Sequence, residues 1–328
     1  MRIRVLVPFL IALTIMSSAF AQGGASTSAH AFPTRPIRLV VNTSAGSSPD
    51  LIARAVSRQA ESFLGQNIIV DNRTGANGII GAVIVAHAAP DGYTVLHTSP
   101  GVILNAVVHR KLQYDIHRDF VPVTQVAAGV GYLMLVHPSL PAYTVTEFIA
   151  LAKQKPLTYG SVPVGGTTHL AAELFNLRAG VTMRHIPYRS GADSVNAVMA
   201  NEVNVTFSPP TGALAHVQSG RLRAIAFSGS KRFARLPEVP LVSEAGVPDY
   251  VVDFTWNAWF APAKTPAAIV TRLHAAVREA LKAPKVVDFL DAAAFYPVGS
   301  TPEEFRAFVN AELKRYSEAV REAKISLQ

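Results

Sequence analysis

Apolar runs and polar breaks alternate along the chain. Ile37–Val41 is an apolar run, interrupted only by Arg38 and ended by the polar stretch 42–50. A helical pattern follows to about Phe63, with Leu51, Ile52, Ala55, Val56, Ala60 and Phe63 on one face. Ser48 reads as its N-cap, Pro49 as its first residue and Asp50 as its first-turn acid. The device recurs at 68–70, a short buried strand broken by Asn72, Arg73, Thr74 and Gly75, with an apolar helical run from Ile79. After the turn Pro90-Asp91-Gly92, Thr94–Thr98 is a third strand, ending in Ser99-Pro100-Gly101. Three small-residue loops thus stand at the carboxyl ends of successive strands, where open α/β sheets bind ligands.

A second unit begins near Gly131. Its first strand, 132–136, closes at His137-Pro138, and Thr144 with Glu147 forms a capping box for a helix to about Gln154. Strand 157–160 leads through Ser161, Gly166, Thr167, Thr168 and His169 into a helix over 170–177. Strand 184–187, the loop Tyr188-Arg189-Ser190-Gly191 and a helix over 192–200 come next. Strand 203–207 ends at Ser208-Pro209-Pro210, and 222–228 leads back out. The C-terminal part returns to the first unit through a long aromatic strand over 251–260. Trp256 and Trp259 lie an odd number of steps apart on it and face opposite sides, one for the core and one for the hinge. Helices follow over 266–282 and 284–293, and a last one opens at Thr301, Pro302 and Glu304.

Composition changes the picture at the start of the chain. Arg2 and Arg4, an apolar core over 5–16 and Ala19-Phe20-Ala21 make a secretory signal cut after residue 21, with a disordered lead-in at 22–31. The alternative is an uncleaved anchor, although the apolar core is short for a membrane span. The chain has no cysteine, so an exported protein of this sequence is held by burial without disulfides. The net charge of +8 is spread along the chain without basic blocks and interleaved aromatics, which argues against nucleic-acid binding.

The chemistry lies in the loops. A strand that ends in a glycine loop and opens a helix points bare N–H groups at one spot. Gly75, Gly78 and Gly81 miss the dinucleotide spacing and lack a phosphate-loop lysine. Taken alone they indicate either a small-anion site or a tight turn without a ligand. Ser161 and His169 suggest a nucleophile and base, but Pro163 stands where a nucleophile elbow needs glycine. The ten histidines are scattered without a His-Glu-x-x-His motif, so no metal is expected.

Several motifs carry a resemblance. They are Phe32-Pro33-Thr34-Arg35-Pro36-Ile37, Asn72-Arg73 with the glycine loop, Ala89-Pro90-Asp91-Gly92-Tyr93-Thr94, Tyr159-Gly160-Ser161, His169-Leu170-Ala171, Ile186-Pro187-Tyr188 and Leu236-Pro237-Glu238-Val239-Pro240 with Ser243-Glu244-Ala245-Gly246. In this order they resemble the Bug-type periplasmic solute-binding proteins of tripartite tricarboxylate transporters. The resemblance implies a two-lobed α/β fold of the type II, Venus-flytrap kind, closing on a small carboxylate. It divides the chain into one lobe of 32–130 plus 236–328 and another of 131–235. It places ligand loops at 42–48, 75–79 and 161–169.

The sequence departs from the family pattern in places. Asn42-Thr43-Ser44-Ala45-Gly46-Ser47 stands where the family usually has Pro-Phe-Pro-Ala-Gly-Gly. Asn77 and Pro163 replace usual glycines, and Ser208 a usual Asp, which implies a more polar and less acidic cleft.

The expected ligand residues are Thr43, Ser44, Ala45, Gly46, Ser47, Asp50, Gly75, Ala76, Asn77, Gly78, Ile79, Thr98, Ser161, Thr167, Thr168, His169, Ser190 and Ser208. N–H groups near Ser47 and Gly78 are to receive the carboxylate. The expected function is capture of a small carboxylate in the periplasm by a monomer, for the large and small membrane subunits of such a transporter. No cofactor and no catalytic residue are expected. A sensor for a membrane signalling system remains an alternative, as does a hydrolase using Ser161 and His169.

Overall fold

The computed structural model describes residues 32–325. The signal at 1–21 and the lead-in at 22–31 lie outside the described residues. In chain order the first elements are β1 (Ile37–Val41), α1 (Ser48–Leu64), β2 (Ile68–Asn72), α2 (Ile79–Ala86), β3 (Thr94–Thr98), α3 (Gly101–Val108) and β4 (Phe120–Gly129). Then come β5 (Leu133–Val136), α4 (Val145–Gln154), β6 (Thr158–Ser161), α5 (Thr167–Ala179), β7 (Arg184–Pro187), α6 (Gly191–Met199), β8 (Val205–Ser208), α7 (Leu214–Gln218) and β9 (Arg223–Phe227). The last are β10 (Trp256–Pro262), α8 (Ala267–Ala280), α9 (Pro284–Ala292), β11 (Phe295–Pro297) and α10 (Pro302–Glu322).

Two sheets repeat one plan. The first has strand order β11-β4-β10-β3-β1-β2 and the second β7-β6-β8-β5-β9. In each, three strands run parallel, β2-β1-β3 and β7-β6-β8. The next strand is antiparallel and is the one that arrives from the other sheet, β10 in the first and β5 in the second. This is the two-lobed α/β arrangement that the sequence implies. The parallel strands deliver their carboxyl ends to helix starts, so both sheets present the same kind of edge.

The chain crosses between sheets twice, and the crossings are bonded to each other. Gly129 N–H donates to the Thr255 carbonyl at 2.8 Å, and Val252 N–H to the Ser228 carbonyl at 2.8 Å. The Ser228 hydroxyl accepts from Tyr132 N–H at 2.7 Å and donates to the Val252 carbonyl. Tyr132 Oη donates to the Phe254 carbonyl at 2.7 Å. Gly131 has φ +144°, and a Cβ there would stand 2.6 Å from Gly229 N. Only glycine permits so close an approach of the two backbones.

The return falls later than residue 236. Phe233, Leu236, Val239 and Leu241 pack with Leu133, Leu135 and Phe227 of the second sheet. Phe227 N–H donates to the Pro240 carbonyl and Val242 N–H to the Phe227 carbonyl, which lays this segment along β9. The crossing therefore occupies 252–255, and the strand expected over 251–260 becomes β10, Trp256–Pro262. Trp256 and Trp259 face opposite sides as expected, and both are buried. Trp256 Nε1 donates to Glu312 Oε2 at 2.9 Å, and Trp259 Nε1 to His97 Nδ1 at 3.0 Å.

Capping boxes form at Thr144 with Glu147 and at Thr301 with Glu304. The cap of α1 is Ser47, one residue earlier than expected, and its hydroxyl donates to Thr43 Oγ1 at 3.0 Å instead of being taken by the helix.

The paired crossings make a direct prediction. Gly131→Ala should destabilise the fold by about 1–3 kcal/mol, because the methyl meets backbone that cannot yield. Urea unfolding checks this, and an unchanged midpoint would show that the crossings are looser than their geometry indicates.

Candidate functional site

A cleft of about 680 Å³ lies between the two sheets. The first sheet lines it with the loops after β1, β2 and β3, and the second with the loops after β6, β7 and β8. Tyr132 and the stretch 254–257 close it where the chain crosses.

The β1 loop is built around Asp50. Its carboxylate is almost fully buried and accepts Gly46 N–H at 2.9 Å, Asn72 Nδ2 at 2.8 Å and Arg54 Nε at 3.0 and 3.1 Å. Asn72 Nδ2 also donates to the Thr43 carbonyl at 3.1 Å. Burial raises the Asp50 pKa, but the bonds from Arg54, Asn72 and Gly46 outweigh it, and the carboxyl sits below its ordinary 3.8. Asp50 thus shapes the loop from behind and lies outside the cleft lining.

The β2 loop is shaped by four consecutive residues of positive φ: Gly75 at +119°, Ala76 at +47°, Asn77 at +51° and Gly78 at +84°. Asparagine adopts this conformation more readily than most side chains, which suits it to a position where a glycine is usual. Asn77 Nδ2 donates to Asn105 Oδ1 at 2.8 Å, and Asn105 Nδ2 returns a bond to the Asn77 carbonyl at 3.0 Å. Asn42 Nδ2 donates to the Gly78 carbonyl at 3.2 Å, joining the first two loops.

The N–H groups of Ser47 and Gly78 themselves are taken up within their own turns. They donate to the carbonyls of Ser44 at 3.1 Å and Gly75 at 3.0 Å. The free donors are their neighbours. Among the described residues, the N–H groups of Ser48, Asp50, Gly75, Ala76, Asn77, Thr167, Thr168, Gly191 and Ala192 have no acceptor within the protein. All of these residues but Asp50 line the cleft. They belong to the starts of α1, α5 and α6 and to the turn before α2. Helix starts from both sheets therefore aim unsatisfied donors and the positive ends of helix dipoles into one space.

Charged side chains contribute little. Among the described residues only Arg189 and Asp193 bring charge to the lining; they stand 3.9 Å apart, and the Arg189 side chain is 93% exposed. No group of three or more His, Asp or Glu is placed to hold a metal ion among the described residues.

Of the expected ligand residues, Thr43, Ser44, Ala45, Gly46, Ser47, Gly75, Ala76, Asn77, Gly78, Thr167, Thr168, Ser190 and Ser208 line the cleft. Ile79, Thr98, Ser161 and His169 stand behind it with Asp50. Ser161 is fully buried, donates to the Val162 carbonyl at 2.8 Å and lies 2.7 Å from His185 Nε2. His169 Nδ1 has no partner, and its ring packs on His185 with centroids 4.5 Å apart. Burial takes the pKa of His169 and of His185 down to about 4. The Ser161 hydroxyl thus meets His185 rather than His169, behind the cleft wall.

Asn257, Thr255 and Tyr132 also line the cleft. Nothing in the local pattern marks them. Only the pairing of β10 with β3 and the crossing bonds bring them there.

Comparison with known proteins agrees with this geometry. The tripartite tricarboxylate transporter family receptor (TctC) matches residues 52–325. Protein BugT of Bordetella pertussis is 33% identical over 323 residues, covering 97% of this chain and 98% of its own. The Rhodopseudomonas palustris protein Rpa4515, solved with adipate, superposes with a TM-score of 0.85 at 33% identity over 90% of this chain and 99% of its own. MatC of the same organism, solved with bound malate, gives 0.82 at 29% identity over 88% of this chain and 100% of its own.

The Asp50 brace is testable. Asp50→Ala leaves Gly46 N–H without its acceptor and strips one acceptor each from Asn72 and Arg54, and should cost about 1–3 kcal/mol of stability. The folded carboxyl has the lower pKa, so the unfolded chain binds the extra proton as the pH falls. The gap between wild type and variant should be full above pH 3.8 and close as the pH drops through the folded pKa. Urea unfolding across that range checks it, and a gap that persists undiminished into strong acid would contradict the brace.

Proposed function

This chain belongs to the receptor family of tripartite tricarboxylate transporters, and from that premise we propose that its cleft captures a small organic carboxylate. Capture takes place outside the cytoplasm, and the solute passes unchanged to the membrane subunits of such a transporter. One observation carries the reading: unpaired N–H groups at helix starts of both sheets converge on a cleft nearly free of charged side chains.

The mechanism follows from that arrangement. A carboxylate has acceptor oxygens and a negative charge, and helix starts offer donors and positive potential. Ser48, Ala76 and Asn77 offer N–H groups from the first sheet, and Thr167, Thr168 and Gly191 from the second. Each helix end contributes about 0.3–1 kcal/mol where exposed, and up to about 2 kcal/mol where partly buried. A solute touching both sets favours the conformation in which the two are close, so binding and closure are coupled. Adipate in Rpa4515 and malate in MatC make dicarboxylates the first solutes to try. The buried position of Ser161 supports binding without turnover.

Titration calorimetry against mono- and dicarboxylates tests the reading. One-to-one binding of at least one acid is expected, and a folded protein that binds none would sink it. Ala76→Asp supplies the matching variant. Aspartate tolerates the positive φ of this position, so the fold should persist. Its charge beside the bound anion should weaken affinity on the order of tenfold or more. Unchanged affinity would remove this loop from the site.

A further inference from the structure

Three buried side chains form a line that ends at the cleft. Asn257 and Trp259, two residues apart on β10, share a face, and Trp259 pairs in register with His97 on β3. Trp259 Nε1 stands 3.0 Å from His97 Nδ1, and His97 Nε2 stands 3.2 Å from Asn257 Oδ1. Trp259 and His97 are fully buried, while Asn257 lines the cleft.

The donor rules fix every proton on this line. An indole N–H only donates, so His97 Nδ1 must present its lone pair. Burial takes the His97 pKa down to about 4, so the ring is neutral and carries its hydrogen on Nε2. The backbone carbonyl of Pro49, which only accepts, also lies within reach of the ring. The group facing Nε2–H must then be the carbonyl oxygen of the Asn257 amide. Its NH2 is left pointing the other way, and among the described residues no acceptor receives it. Asn257 stands beside the carboxyl end of β3, on the edge where the helix starts gather.

We propose that Asn257 is a ligand-contacting residue whose NH2 donates to an acceptor oxygen of the bound carboxylic acid, and that His97 and Trp259 are positioning residues that lock the amide in this orientation. This rests on the carboxylate reading of the cleft. It adds a specificity rule: at this point the site takes an oxygen that accepts and rejects a group that donates. It also implies that a neutral amide and an acid are not interchangeable here. An aspartate would accept from His97 through one oxygen and turn the other, negative and acceptor-only, toward the bound anion.

The test pairs spectroscopy with binding. In protein labelled with ¹⁵N-histidine, long-range ¹H–¹⁵N correlation should show His97 as the neutral Nε2–H tautomer at pH 7. Malate and adipate serve as probes in calorimetry. Asn257→Leu should weaken binding of whichever acid the wild type takes by about tenfold, and Asn257→Asp by more. Trp259→Phe keeps a buried ring but removes the indole donor. It should let the His97 tautomers mix and lower affinity severalfold, although residue 259 does not reach the cleft. If Asn257→Leu fails to fold, Asn257→Asp carries the test, since it keeps an acceptor for His97. Wild-type affinity in a folded Asn257 variant, or His97 resting as the Nδ1–H tautomer, would overturn the proposal. A wild type that binds neither probe counts against the carboxylate reading, and the tautomer then decides the lock by itself.

Discussion

A helix cannot satisfy the N–H groups of its own first turn, and this structure depends on where it puts them. Each parallel strand ends in a loop of small residues that opens a helix. Because these three strands of each sheet run parallel, their helix starts share one edge. Because the chain crosses between sheets twice, the two edges face each other. The result is a space lined by donors such as Ser48, Ala76, Thr168 and Gly191, drawn from loops far apart in sequence. The loops keep that arrangement through buried polar bonds behind them. Asp50 gathers Gly46, Arg54 and Asn72, and Asn105 holds Asn77 from two directions.

The near-neutral lining has a physical consequence. A buried lysine or arginine would hold an anion strongly, but it would carry a desolvation penalty whenever the cleft stood empty and closed. Main-chain donors avoid most of that penalty, since their partial charges are small and fixed by the fold. They also discriminate by direction, because each N–H points along one line. Among the described residues the one cation of the lining, Arg189, is nearly fully exposed and shares its surroundings with Asp193, so water screens it. Recognition therefore falls to geometry more than to net charge, which suits a protein that must release what it binds.

Local chemistry made part of this legible in the sequence. Small residues, Pro49, and the threonine–glutamate pairs at Thr144 and Thr301 mark helix starts because each acts within a few residues. The loops around Thr43 to Ser47, Gly75 to Gly78 and Thr167 to Thr168 could be placed on that basis, together with the family resemblance. What escaped was long-range. The expected donors lie near Ser47 and Gly78, but the N–H groups of these two residues are themselves consumed by four-residue turns, which leaves the role to their neighbours. Ser161 and Thr98 end strands next to the loops, yet their side chains stand behind the cleft wall. The stretch 229–250 returns to β9 through Phe233 and Leu241, whose apolar character says "core" without saying which core. Asn257 lies on a strand that reads as aromatic and buried, and only its pairing beside β3 shows that it opens on the cleft.

The same geometry determines how ligand and closure are linked. Ser48 Oγ donates to Thr211 Oγ1 across the cleft at 3.1 Å, and Thr211 Oγ1 in turn donates to the Ala293 carbonyl at 3.1 Å. Two neutral hydroxyl bonds of this kind contribute about 0.5–1.5 kcal/mol each, a modest latch. Charge-assisted bonds to a carboxylate are about twice as strong as neutral ones, and here they are offered from both edges. A solute that reaches both sets of helix starts therefore outweighs the hydroxyl latch in setting the closed population. A solute that reaches one set alone binds without a comparable pull on the other. Length and the spacing of acceptor oxygens, more than total charge, then decide which acids this cleft closes on.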